Sequence, residues 1–123
     1  QRRIIHEYYS NLLQPYVDKG LMSITQSPGD CEGNYHIFYM TFHDQQSKEY
    51  VMKKLQDYNI SALTHFVPLH SSEMGRKLGY KAEDLPITEH ISKCILRLPI
   101  YPSLNKLELD YIAEKLTAIL EEL

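Results

Sequence analysis

The stretch Thr64-His65-Phe66-Val67-Pro68-Leu69-His70-Ser71-Ser72 sets two imidazoles, three hydroxyls and an aromatic face around a proline that fixes the path of the chain. An imidazole can donate to phosphate, hydroxyl or carboxylate oxygens, and its charge changes near neutral pH. The stretch falls where a predicted strand ends and the chain turns, a favoured place for ligands in α/β folds. A polar turn with surface histidines accounts for the same residues. Lining of a pocket is the better reading only if the chain has a larger neighbour.

The other reactive residues are scattered. Of the six histidines, His36 lies on a predicted buried strand and reads as a core histidine; His43 ends that strand, and His6 and His90 fall on predicted helices. His65 and His70 have no paired cysteines and no His-Glu-x-x-His motif beside them, so no metal site is expected. Cys94 joins the apolar rhythm of Ile91 and Ile95, whereas Cys31 sits in a polar loop with no cation next to it to lower its pKa. Lys48, Lys53, Lys54, Lys77 and Lys81 all fall in polar surroundings, unlike the desolvated lysines that form Schiff bases. Glycine-rich phosphate loops and nucleophile elbows are absent, and Gly75 and Gly79 stand alone. Taken alone, the chain shows no complete active site and no catalytic, cofactor-binding or metal-binding residue.

The elements that must position the 64–72 stretch can be read from periodicity. At 123 residues, with 43% hydrophobic and 24% charged residues, the chain suits one globular domain spanning 1–123 rather than a disordered segment. A net charge of −3 without a basic cluster argues against nucleic-acid binding. No apolar run approaches the ~18 residues of a membrane span, and Glu7 interrupts any signal-peptide core. Two distant cysteines fit reduced thiols in the cytoplasm.

Ile4, Ile5, Tyr8, Tyr9, Leu12 and Leu13 mark a helix from Arg2 to about Lys19, with a kink or early stop expected at Pro15. Tyr35 to Phe42 reads as a central strand covered on both faces. A helix capped by Ser47 and a second strand from Ile60 to Val67 would complete a crossover unit with parallel strands. A short helix from Ser71 to Leu78, a loop from Ala82 to Leu85 and a helix near Pro86 lead to the apolar run Ile95–Ile100. Asn105 and Glu108 form a capping box for a final helix whose buried face carries Leu109, Ile112, Leu116, Ile119, Leu120 and Leu123. Three short strands packed with helices predict an α/β or α+β two-layer sandwich.

Several stretches, in order, resemble the C-terminal third of the pyridoxal-phosphate-dependent sugar-nucleotide aminotransferases of the DegT/DnrJ/StrS family. They are Gln1-Arg2-Arg3 opening a helix with Tyr8-Tyr9, Asn34-Tyr35-His36-Ile37-Phe38-Tyr39, and His65-Phe66-Val67-Pro68-Leu69-His70. Leu85-Pro86-Ile87-Thr88-Glu89, Leu96-Arg97-Leu98-Pro99-Ile100 and the terminal helix follow. Each motif is short, and their order along nearly the whole chain carries the resemblance. Within the family they are most similar to dTDP-4-amino-4,6-dideoxygalactose transaminases of surface-polysaccharide synthesis (lipopolysaccharide or common antigen).

The resemblance implies the small C-terminal domain of a fold type I aminotransferase, cytoplasmic and homodimeric at full length. Its cofactor would be pyridoxal 5'-phosphate, held by a lysine of a large N-terminal domain, with no metal. Glutamate would supply the amino group to a dTDP-4-keto-6-deoxyhexose, so the partners are the nucleotide sugar, glutamate and the protein's own N-terminal domain. Neither the cofactor lysine nor the carboxylate facing the pyridine nitrogen matches a motif here, which makes this chain a fragment expected to be inactive alone. Carried over by position, His65 matches the histidine that would bond the sugar or diphosphate. Phe66 would pack beside the sugar, and His70 is the second candidate; Asn34 and His36 take structural roles. The alternative is a free-standing module that senses a small ligand or binds a protein.

Overall fold

The computed structural model describes residues 1–123. Helix α1 (Arg2–Asp18) buries Ile5, Tyr9, Leu13 and Tyr16 on the stripe that its periodicity predicts. It continues past Pro15 to Asp18, so the early stop that this proline could impose does not occur. Asn11 and Pro15 are both exposed, so the carbonyl that the proline cannot bond faces water, while buried Leu13 and Tyr16 hold the last turn. Gly20, at φ 73°, then ends the helix: its N–H bonds the Val17 carbonyl and that of Leu21 bonds the Tyr16 carbonyl.

Strand β1 (Met22–Ile24), which the sequence pattern did not reveal, pairs antiparallel with β2 (Phe38–Phe42). β2 is shorter than expected, because Tyr35 takes φ 53° and leaves His36 exposed outside the strand instead of in the core. Only one of its faces is fully buried: Phe38, Met40 and Phe42 enter the core, while Tyr39 and Thr41 keep some exposure on the other side.

Helix α2 (Gln45–Asp57) is capped by Asp44 rather than by Ser47, because the Asp44 carboxylate accepts from the backbone and hydroxyl of Ser47 within the first turn; these bonds hold its pKa below the ordinary value. Lys48, expected in polar surroundings, is 4% exposed because it continues the buried stripe of Val51 and Leu55. Strand β3 (Leu63–Thr64) is far shorter than the run Ile60–Val67 suggested. Helix α3 (Glu73–Lys77), a single 3₁₀ turn (Ala82–Asp84) and helix α4 (Pro86–Cys94) lead directly into β4 (Ile95–Leu98). Helix α5 (Lys106–Leu120) closes the chain, with the Asn105–Glu108 box formed as its sequence requires; Leu123, expected on its buried face, lies past the last turn and is exposed.

The sheet order is β1-β2-β4-β3, with every neighbouring pair antiparallel. β2 and β3 do run parallel across α2, as a crossover demands, but β4 lies between them and removes the expected parallel ladder. The result is an α+β sandwich of two layers. Phe38, Met40, Leu96 and Leu98 fill the space between sheet and helices, each contributing about 1.5–3 kcal/mol through burial. Arg97 lies on the opposite face, paired in register with Tyr39 on one side and Leu63 on the other. No helix is long and apolar enough to cross a membrane.

Candidate functional site

The short β3 ends against Leu96 of β4, and the chain then leaves the sheet through His65, Phe66, Val67, Pro68 and Leu69. This loop is folded onto itself by its own hydroxyls. Ser71 donates to the Pro68 carbonyl at 3.4 Å, and Ser72 donates to that of Leu69 at 2.6 Å. Ser72 also accepts from the Gly75 N–H at 3.1 Å and so caps α3. The two serine hydroxyls are therefore used in shaping the loop. A Cβ built on Gly75 would overlap the carbonyl oxygens of Leu69 and His70, so only glycine lets α3 press against the loop this closely.

The three residues singled out from the sequence are brought onto one loop but into different surroundings. His65 is half-buried; its ring meets that of Phe66 edge-on at 5.2 Å, and its Nδ1 is buried without a hydrogen-bond partner. Phe66 is 74% exposed, an unusual setting for a phenyl ring. Both line a groove of about 560 Å³ with Pro68, Ile87, Ile91 and Ile95. His70 is only 7% exposed and turns away from them, with Nε2 at 3.1 Å from Oε1 of Glu89 on α4. It borders an adjoining groove of about 820 Å³, walled by Leu69, Met74, Leu78 and Leu85.

Phe66 also lines a third cavity, of about 410 Å³, at the end of the sheet where β2 begins and β4 finishes. Arg2, His36, Arg97 and Tyr101 surround it, and no carboxylate does. The guanidinium of Arg97 stands over the Phe66 ring at 5.7 Å. Nothing local in the sequence marks either arginine as part of a site. Arg97 is embedded in an apolar run and Arg2 opens a helix, and only the fold brings them to one place.

The chemistry available here is recognition. Imidazole, guanidinium and phenyl groups can hold an anionic or hydroxylated ligand, but the grooves contain no nucleophile paired with a base. No lysine lines the cavities around His65, Phe66 and His70. No group of three His, Cys, Asp or Glu converges in a way that could hold a metal. Cys94 is buried, which pushes its thiol pKa up and away from nucleophilic use, while Cys31 is exposed.

Residues 1–117 match the model of the DegT/DnrJ/EryC1/StrS aminotransferase family. A "dTDP-4-amino-4,6-dideoxy-D-glucose transaminase" of Escherichia coli is 33% identical over 126 aligned positions, covering 98% of this chain and 32% of that protein. A "pleiotropic regulatory protein" of Geobacillus stearothermophilus is 28% identical over 117 positions, covering 94% of this chain and 30% of that protein. Among solved structures, S. venezuelae DesV in complex with a ketimine intermediate superposes with a TM-score of 0.84 at 21% identity. That match covers 100% of this chain and 32% of DesV. The chain thus spans about a third of the length of these relatives.

Proposed function

The chain belongs to the DegT/DnrJ/EryC1/StrS aminotransferase family, and from that premise we propose that it is the small C-terminal domain of a pyridoxal-phosphate-dependent sugar-nucleotide aminotransferase. The observation that carries this reading is the alignment of nearly the whole chain, at 33% identity, with an enzyme named as a transaminase of a dTDP-linked 4-amino-6-deoxy sugar. The whole protein would move the amino group of glutamate onto a dTDP-4-keto-6-deoxyhexose for surface-polysaccharide synthesis in the cytoplasm. The galactose-configured product of the dTDP-4-amino-4,6-dideoxygalactose transaminases is the specific form we propose.

The cofactor supplies the electron-withdrawing chemistry of amino transfer, and its lysine would lie in the large N-terminal domain rather than in this chain. This chain's contribution is to bind and orient. His65 would hydrogen-bond a sugar hydroxyl or the diphosphate, its unpartnered Nδ1 leaving one ring nitrogen uncommitted. Phe66 would lay its exposed ring along the sugar. His70, buried against Glu89, would support the loop from behind. A large apolar surface supports the presence of a neighbour. Leu69 is 87% exposed and Ile87 79%, and Val67, Met74, Leu78 and Leu85 are exposed beside them. We assign this surface to the protein's own large domain, with two full-length copies forming a homodimer.

The test uses the protein at its natural length, loaded with pyridoxal phosphate and given glutamate with dTDP-4-keto-6-deoxyglucose. Appearance of 2-oxoglutarate together with a 4-amino sugar nucleotide, its configuration assigned by NMR, is the expected result. Failure to form 2-oxoglutarate with cofactor bound would overturn the reading. A natural reading frame without a cofactor lysine would favour a free-standing binding module instead.

A further inference from the structure

Arg2 and Arg97 come from α1 and β4, at nearly opposite ends of the chain, yet line the same cavity of about 410 Å³. Neither guanidinium has an ion-pair or hydrogen-bond partner, although this chain has an excess of carboxylates. The neighbouring Arg3 shows the contrast: it pairs with Glu7 on the outer face of α1 at 2.8 Å. The Nε of Arg2 is buried with no acceptor, a condition that native structures seldom leave unanswered. No Asp or Glu lines the cavity, whereas His36, Ser61 and Tyr101 add donor groups to its wall. Phe66 closes one side beneath the Arg97 guanidinium.

We propose that Arg2 and Arg97 form an oxyanion subsite, which takes the phosphate or carboxylate group of an organic anion whose adjoining part packs on Phe66. A planar guanidinium presents a fork of N–H donors that matches two oxygens of either group. The cavity volume falls within the range of small-molecule sites. Phe66 also lines the groove that contains His65, so one ligand crossing this ring can reach both the arginines and the imidazole. The source of the oxyanion rests on the transaminase reading: it is the diphosphate of the sugar nucleotide or a carboxylate of the amino donor. The subsite itself stands on the unpaired arginines.

The two sources are separated by calorimetric titration of the natural-length, cofactor-loaded protein with inorganic pyrophosphate and with glutarate at matched ionic strength. Arg97→Gln and Arg2→Gln are each expected to weaken at least one anion by about tenfold or more, with Arg97→Lys retaining part of the affinity. A loss confined to pyrophosphate assigns the diphosphate, and a loss confined to glutarate assigns the carboxylate; loss of both supports a subsite that accepts either. Arg76, an exposed and unpaired arginine on α3, is the control for net charge, and Arg76→Gln should bind like wild type. Thermal melts establish that each variant is folded. The proposal is overturned if wild type binds neither anion, if the cavity variants bind both as wild type does, or if Arg76→Gln weakens binding equally. Glutamate-dependent amination is assayed in parallel. Wild-type amination without an arginine effect removes the subsite and leaves the transaminase reading; an arginine effect without amination does the reverse.

Discussion

Nε2 of His70 and Oε1 of Glu89 lie 3.1 Å apart, only 7% and 18% exposed, yet out of line for a hydrogen bond. The pair ties the loop after β3 to the first turn of α4. Truncating either side chain removes a close, largely buried contact between the loop and α4, so His70→Ala or Glu89→Ala should each destabilise by about 1 kcal/mol. Because both residues act through one contact, the double variant should lose clearly less than the sum of the singles. Urea unfolding of the four proteins measures this; additive losses would show that the two side chains stabilise the fold independently.

Gly75 sits where α3 meets the carbonyls of Leu69 and His70. Gly75→Ala places a methyl group against backbone rather than against a side chain that could move aside. Overpacking of this kind costs about 1–3 kcal/mol, enough to lower the melting temperature visibly. Ala at Gly29, where an added Cβ meets nothing, should leave the melt unchanged. Equal melts for Gly75→Ala and wild type would mean that α3 does not need its close approach to the loop.

His65→Ala tests the placement of the imidazole at substrate. On the proposed transaminase function, kcat/KM for glutamate-dependent amination by the natural-length protein should fall by about tenfold or more, with the fold and the cofactor's absorbance intact. Phe66→Leu should raise KM for the sugar nucleotide, because a smaller apolar side chain covers less of the sugar. Normal turnover and KM in His65→Ala would remove this histidine from the site.

The helices could be read from sequence, and the sheet only in part. α1 and α5 bury long stripes at helical spacing, and the Asn105–Glu108 box marks its own position. β1 has only three residues, with Ser23 exposed between two buried neighbours, too short a run for alternation to register. The run Ile60–Val67 resembles a strand because it is rich in β-branched and aromatic residues, yet Phe66 and Val67 are exposed beyond the sheet and only Leu63–Thr64 pair. The loop carrying His65 was visible because its residues adjoin in sequence. Arg2 and Arg97 were not, since nothing local joins the start of a helix to a strand near the other end of the chain.

His6 gives acid sensitivity a definite sign. Its ring packs edge-on against Phe38 at 4.8 Å and Tyr35 at 5.3 Å, and burial lowers its pKa despite the opposing pull of Glu7. The folded state therefore favours the neutral ring, and the unfolded chain binds the proton more readily. Stability from this site is fully present above the ordinary histidine value of about 6.5 and is lost as pH falls through it. In urea unfolding at about pH 7.5 and about pH 5, His6→Gln should lose less stability on acidification than wild type. Identical acid losses would place the sensitivity elsewhere.

The 123-residue chain expressed by itself leaves its apolar surface uncovered. α4 explains why that surface exists: Ile87 and Ile91 lie on one side of the helix and are exposed, while Cys94 is buried at its end. Beside them stand Leu69, Leu78 and Leu85, which wall the groove of about 820 Å³. A contiguous patch of this kind, left in water, drives association. The chain alone should sediment as self-associated species at micromolar concentration and enhance the fluorescence of a hydrophobic dye. Leu69→Asp with Ile87→Asp should restore the monomer and abolish the dye signal without lowering the melting temperature, because both side chains project into solvent. On the proposed function, the same pair of substitutions in the natural-length protein should disrupt docking onto the large domain and reduce amination. A clean monomer of the isolated wild-type chain, silent toward dye, would show that this surface needs no cover.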